Sequence, residues 1–163
     1  MTRKADFNAA DWDTIVNGPV HAGLRVIAAD RGGTLRESLA MSRVYESARA
    51  NASAAGLLAE IISSQPTVDA RRIEREPERI GALTAERLRA AIHALEAVAT
   101  ATEIDAYKTF VMTVAQAVAG AHREGGLFGI GGTQISDAEN VALDEISSAL
   151  GAPPPGASPS PSD

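Results

Sequence analysis

The feature that most constrains the fold is the run from Tyr107 to Leu150, where apolar residues recur at helical spacing on both sides of a glycine-rich connection. Before the connection each has another apolar residue three or four positions away, so they share one face of a helix. These residues are Tyr107, Phe110, Val111, Val114, Val118 and Ala121. After the connection the apolar residues are Val141, Leu143, Ile146 and Leu150. The pattern predicts a helical hairpin, with Ser136 and Glu139 forming a capping box at the start of its second helix.

The connection itself, residues 125–132, carries no charge and alternates glycine with large apolar side chains. A phosphate-binding P-loop needs a lysine after its last glycine, and Thr133 stands there instead. A dinucleotide fingerprint needs a preceding strand, whereas a helix is predicted here. We interpret the segment as a helix connection packed on the core. Two alternatives remain open: a mobile lid, and a membrane-surface tip formed by Leu127, Phe128 and Ile130.

Composition favours helices throughout the chain. The 163 residues suggest one domain, and hydrophobic residues reach 45% although aromatics are only 4%. Much of the apolar content is alanine, which favours closely packed helices over a β-sandwich. We therefore expect an all-α bundle of about six to seven helices over residues 1–151, a single domain. Residues 152–163 are rich in proline and serine and predict a disordered tail.

Charge and hydropathy exclude some classes of function. The net charge of −6 argues against nucleic-acid binding, which needs clustered lysine and arginine. No apolar run approaches the roughly 20 residues of a membrane span. The first residues lack the apolar centre of a signal peptide, and the chain has no cysteine for disulfides or thiol catalysis. We expect a soluble, cytoplasmic protein.

The remaining helices follow from spacing and punctuation. Pro19 predicts short helices at 9–16 and 19–29, or one fused helix with a kink. Further helices are predicted from 35 to about 50, from about 53 to 64, and from Thr84 to about Ala101. Residues 1–7 are expected to fray. The charged, proline-flanked residues 66–82 are interpreted as a solvated connector.

Two glycine corners repeat one arrangement. In the first, Asp30 precedes a glycine pair, and Thr34 with Glu37 forms a capping box. In the second, Glu124 precedes a glycine pair, and the capping box follows after the longer connection. Two such corners predict two pseudo-repeated helical hairpins packed into one bundle.

The corners resemble those of the TerB-like domains associated with tellurite resistance, in which a helix ends in Ala-Asp-Gly and an acid opens the next helix, twice. The matching residues are Ala29, Asp30, Gly32 and Glu37 in the first corner, and Glu124, Gly125, Asp137 and Glu139 in the second. The chain departs from the pattern by having Glu124 in place of aspartate, and the resemblance covers about half of it. It implies an all-α bundle, a possible acidic metal site and a stress-related role in an assembly rather than catalysis.

The candidate metal ligands are therefore carboxylates, which suit hard cations such as calcium and magnesium. They are Asp30, Glu37, Glu124, Asp137 and Glu139. Their alternative role is structural, because carboxylates at turns and helix starts also cap free backbone N–H groups. The spacing of an EF-hand loop is missing.

Other catalytic or metal-binding patterns are missing. His21, His93 and His122 are isolated in sequence and form no His-Glu-x-x-His zinc motif. No Gly-x-Ser-x-Gly elbow of a serine hydrolase occurs. We expect a non-enzymatic helical module that binds a protein partner, a second copy of the chain or a small ligand. The alternative is a carboxylate-based divalent-metal-binding protein, whose cofactor would be a divalent cation.

Overall fold

The computed structural model describes residues 1–29, 34–51, 56–68, 79–123 and 135–151. These ranges contain one 3-10 turn, six α-helices and no strand, which confirms the predicted all-α class. The 3-10 turn is Lys4–Asp6, and the helices are α1 (Ala9–Ala29), α2 (Thr34–Asn51), α3 (Leu57–Ser63), α4 (Ile80–Glu96), α5 (Ala101–Arg123) and α6 (Asp137–Ala149). The two corners of the predicted repeat lie outside the described residues, so the repeat stays a prediction.

The main core lies between α1, α4, α5 and α6. Trp12 packs the first helix onto it and is 7% exposed. The fully enclosed side chains include Ile15, Leu88, Leu95 and Val118. None of the helices in the described ranges is both long and apolar enough to cross a bilayer.

The first helix is continuous although Pro19 stands inside it, so α1 is the fused form of the two predicted helices. In an α-helix the N–H of residue 19 would bond the carbonyl of residue 15, and proline has no N–H. The carbonyl of Ile15 therefore lacks its usual partner within α1.

Tyr107 of α5 supplies the missing donor. Its hydroxyl donates to the carbonyl oxygen of Ile15 at 2.9 Å, in a fully buried position. Gly18 makes this approach possible, because a Cβ at that position would overlap the Tyr107 hydroxyl. The Gly18-Pro19 pair, which reads as a helix breaker, is thus the docking point of α5 on α1.

The N-terminus is anchored, so the predicted fraying is wrong for its first residues. Thr2 is 7% exposed. Its backbone N–H donates to Glu103 Oε1 at 3.0 Å and its hydroxyl donates to Oε2 at 2.8 Å. The backbone N–H of Thr100, with these bonds from Thr2, lowers the pKa of Glu103 to about 2 although burial opposes the shift. Glu103 lies in α5, so the sequence pattern around Thr2 could not predict this contact.

The predicted bounds of α4 are also wrong. The helix begins at Ile80 rather than Thr84, and it ends at Glu96 rather than near Ala101. Thr84, the predicted first residue, is 2% exposed inside the helix. Its hydroxyl donates to the carbonyl oxygen of His21 at 3.4 Å, so Thr84 makes a tertiary contact with α1.

Candidate functional site

A second apolar cluster lies between α2, α3 and α5, apart from the main core. We call it the Tyr45 cluster. Its buried members are Tyr45, Ile62, Phe110 and Val114. Partly buried side chains surround them, namely Val20, Met41, Val44, Ala48 and Leu58. Because few side chains here are fully enclosed, less buried apolar area stabilises this side of the molecule than stabilises the main core. Local opening therefore costs less free energy here.

The hydroxyl of Tyr45 is the unusual group of this cluster. Tyr45 is 7% exposed, and its ring meets the Phe110 ring edge to face with centroids 5.2 Å apart. Within the described part of the chain, the buried hydroxyl oxygen has no hydrogen-bond partner. An unsatisfied buried polar group costs about 1–3 kcal/mol. Native proteins retain few such groups, so each one calls for an explanation.

Burial also keeps this hydroxyl protonated. It raises the pKa of Tyr45 well above the usual value, and the positive charge of Arg49 opposes the shift only in part. The Arg49 guanidinium carbon lies 5.8 Å from the centroid of the Tyr45 ring. Its Nε donates to the carbonyl oxygen of Ile62 at 3.1 Å, so this side chain is engaged in joining α2 to α3. The Tyr45 hydroxyl is consequently available as a neutral donor.

Met41 forms an adaptable wall between this cluster and α1. A Cβ at Gly23 would lie 3.0 Å from the sulfur of Met41 and 3.5 Å from a methyl group of Val114. The methionine side chain thus fills space that a glycine leaves free. Because methionine is unbranched and has three rotatable bonds, it can adopt another rotamer. The wall that Met41 forms is therefore less rigid than one made of branched side chains.

A contrasting polar region runs along α1. Asp13, Asn17 and His21 stand four residues apart and share one helix face. The side-chain oxygen of Asn17 accepts the Thr67 N–H at 2.8 Å, and its amide nitrogen donates to the Thr67 hydroxyl at 3.1 Å. That hydroxyl donates to Asp13 at 2.9 Å. These groups satisfy one another, so they tie the chain after α3 to α1.

His21 ends this polar face at the contact with α4. Its Nδ1 is buried and, among the residues that the structure describes, has no hydrogen-bond partner. Burial lowers the pKa of His21, the nearby Arg87 lowers it further, and Asp13 acts in the opposite direction. The imidazole is therefore neutral near pH 7, and protonation would place a cation beside Arg87.

Three of the five predicted metal ligands cannot be located. Asp30 and Glu124 lie outside the described residues, and so does the side chain of Glu37. The same holds for the connection at 125–132, with its alternative roles as a lid or a membrane tip, and for the tail at 152–163. These assignments stay predictions.

The other two predicted ligands lie at the start of α6. Asp137 is exposed, whereas Glu139 is 2% exposed. The Glu139 carboxylate accepts the Ser136 N–H at 2.9 Å, and the Glu139 N–H donates to the Ser136 hydroxyl at 3.2 Å. This is the predicted capping box. Where side chains are described, no three acidic or histidine residues come together to hold a metal ion.

The sequence pattern placed Tyr45 only among the apolar residues of its helix. The signal that could have found it is a tyrosine on an otherwise aliphatic helix face, because a buried phenol hydroxyl normally has a partner. Whether that partner exists depends on the packing of α2 against α5, which spacing along the chain does not encode.

Comparison of the chain with protein-family models, with curated proteins and with solved structures finds no match.

Proposed function

We propose that this chain is a non-enzymatic helical module that binds a small molecule in the Tyr45 cluster. The observation that carries the proposal is the Tyr45 hydroxyl, which is buried, protonated and without a partner in the described residues. A ligand atom placed against it would form the missing hydrogen bond and remove a penalty of about 1–3 kcal/mol. The apolar neighbours would cover the rest of the ligand.

A small molecule fits this group better than a protein partner does. The hydroxyl oxygen is buried in the Tyr45 cluster, so a protein surface cannot reach it. A protein partner or a second copy of the chain would need a different surface. Met41 is a partly buried member of the cluster, and a change of its rotamer would admit a small molecule.

The chemistry of the cluster supports binding rather than catalysis. Ile62, Phe110 and Val114 contribute no acid, base or nucleophile. The raised pKa of Tyr45 makes its phenol a poor proton acceptor for a substrate at neutral pH. Kinship with the TerB-like domains, with a stress-related role, belongs to the same proposal. The all-helical fold of the described residues is compatible with it.

The proposal is tested by screening neutral, fragment-sized compounds against the full chain with carbon-labelled methyl groups, observed by NMR. We expect at least one compound to shift the methyl signals of Ile62 and Val114 and to leave those of Ile15 and Val26, in the main core, unchanged. Shifts confined to the main core or to exposed helix faces would contradict the proposal, and so would a screen without any shift.

A further inference from the structure

We infer that the ligand of the Tyr45 cluster is an uncharged, mostly apolar molecule that carries a hydrogen-bond acceptor oxygen, such as a ketone, ester or ether. This inference depends on the proposed function and deepens it by naming the class of ligand. Three features indicate this class of ligand: the unbonded Tyr45 hydroxyl, the side chains of the cluster and the nearby charge of Arg49.

The requirement for an acceptor follows from the state of the phenol. The Tyr45 hydroxyl keeps its proton in the cluster, so it always offers a hydrogen to donate. Its two lone pairs can also accept, but no described side chain donates to them. The oxygen of a ketone, ester or ether takes the hydrogen and needs no donor in return.

The requirement for a neutral ligand follows from the balance of burial and charge at the Tyr45 hydroxyl. The Arg49 guanidinium lies over the ring of Tyr45, and its Nε donates to the carbonyl oxygen of Ile62. Burial disfavours a negative charge at the hydroxyl more than Arg49 favours it, since the pKa of Tyr45 is raised despite that cation. A carboxylate bound beside the hydroxyl would meet the same surroundings. Burying an ion in such surroundings without a partner is strongly unfavourable. A neutral oxygen avoids that penalty.

The ligand should be mostly apolar because the side chains of the Tyr45 cluster are apolar. Phe110 presents a ring edge to Tyr45, and Ile62, Val114 and Met41 complete the surroundings. An apolar ligand body would leave water for contacts with these side chains. A second polar group on the ligand would be buried without a partner, which would weaken binding.

The test uses two probes that differ by one group. Acetophenone has a carbonyl oxygen where α-methylstyrene has a CH2 group of similar size. Each is titrated into the full chain and into the Tyr45→Phe variant while the methyl signals of Ile62 and Val114 are followed by NMR. The control variant is Leu39→Ala, which alters an α2 side chain that is 54% exposed.

We expect the Tyr45→Phe variant to bind acetophenone about fivefold more weakly than the original chain, since one neutral hydrogen bond is lost. The same variant should bind α-methylstyrene with unchanged affinity, and Leu39→Ala should leave both affinities unchanged. If both probes bind in the cluster and Tyr45→Phe changes their affinities equally, the inferred ligand class is wrong and the proposed function stands. If neither probe shifts the Ile62 and Val114 signals, the inference fails, and the broader screen decides the proposed function separately.

Discussion

The two tyrosines of the chain are both buried, and they differ in what their hydroxyl groups do. Tyr107 donates to the one carbonyl of α1 that Pro19 leaves without a helical partner. Tyr45 lies in a smaller cluster, and its hydroxyl has no partner within the described ranges. The Tyr107 hydroxyl joins α5 to α1. The Tyr45 hydroxyl forms no bond with a described residue, which is why we propose that a ligand binds to it.

The difference shows that burial of a polar group does not by itself define its role. The Tyr107 hydroxyl and the Ile15 carbonyl each need the other, because proline removes one donor and the phenol supplies another. Among the described residues, none forms a complementary bond with the Tyr45 hydroxyl. Substitutions around the two hydroxyl groups test this contrast.

Substitution at the Tyr107 contact should have the largest effect. Gly18→Ala places a Cβ where the Tyr107 hydroxyl lies, so we expect the free energy of unfolding to fall by about 2–4 kcal/mol through overpacking and the lost bond. Gly120→Ala in α5 is the matched control, since a Cβ there meets nothing within 4 Å. It should raise the free energy of unfolding by roughly 0.5–1 kcal/mol. Urea denaturation measures both, and equal effects would contradict the assigned contact.

A double-mutant cycle tests whether the phenol replaces the missing backbone donor. Pro19→Ala restores an N–H that can bond the Ile15 carbonyl within α1. Tyr107→Phe should therefore cost about 1 kcal/mol less in the Pro19→Ala background than in the original chain. Urea unfolding of the four proteins gives the coupling energy. Additive costs would show that the two groups do not serve the same carbonyl.

We expect a smaller effect on stability when the pH is lowered and His21 becomes protonated. This prediction tests the polar face of α1 instead of either tyrosine. Burial first, and then Arg87, lower the pKa of His21 below 6.5, so the unfolded chain binds the proton first as pH falls. The resulting stability is complete above pH 6.5 and declines as pH falls through the window between the unfolded and folded pKa values. Urea unfolding at pH 7.5 and 5.5 should show this decline in the original chain and a weaker one in His21→Gln. The exposed His93 provides the control, and His93→Gln should retain the full decline.

We expect divalent cations to have the smallest effect on stability. A large effect would indicate that the functional site is not at Tyr45. Glu139 is occupied by the capping box, so we expect calcium, magnesium and manganese to leave the melting temperature unchanged. A stabilising shift that disappears in the double variant Asp30→Asn, Glu124→Gln would instead establish the carboxylate metal site predicted from sequence. Differential scanning fluorimetry with and without chelator distinguishes the two outcomes.

Local signals in the sequence predicted the fold class and some of the helix ends. The capping box at Ser136 and Glu139 depends on residues three positions apart, so spacing alone identified it. The stripe from Tyr107 to Val118 likewise identified the buried face of α5. These features depend on near neighbours, which a single sequence displays directly.

The remaining features depend on contacts between distant segments. Thr84 was the predicted start of a helix, yet the helix begins earlier and the Thr84 hydroxyl donates to a carbonyl of α1. Thr2 looked like part of a frayed end, yet Glu103 holds it from α5. Neither outcome follows from the residues nearby. The Tyr45 site was missed for the same reason, because an unpartnered hydroxyl is defined by what packs around it.

The most direct test of the central contrast is to remove each phenol hydroxyl and measure the free energy of unfolding without ligand. Tyr107→Phe leaves the Ile15 carbonyl unpaired, so the free energy should fall by about 1–3 kcal/mol. Tyr45→Phe breaks no bond between described residues and removes a buried unsatisfied group, so the free energy should stay within about 0.5 kcal/mol or rise. A loss at Tyr45 equal to that at Tyr107 would mean that its hydroxyl already has a partner, and the proposed ligand site would be wrong.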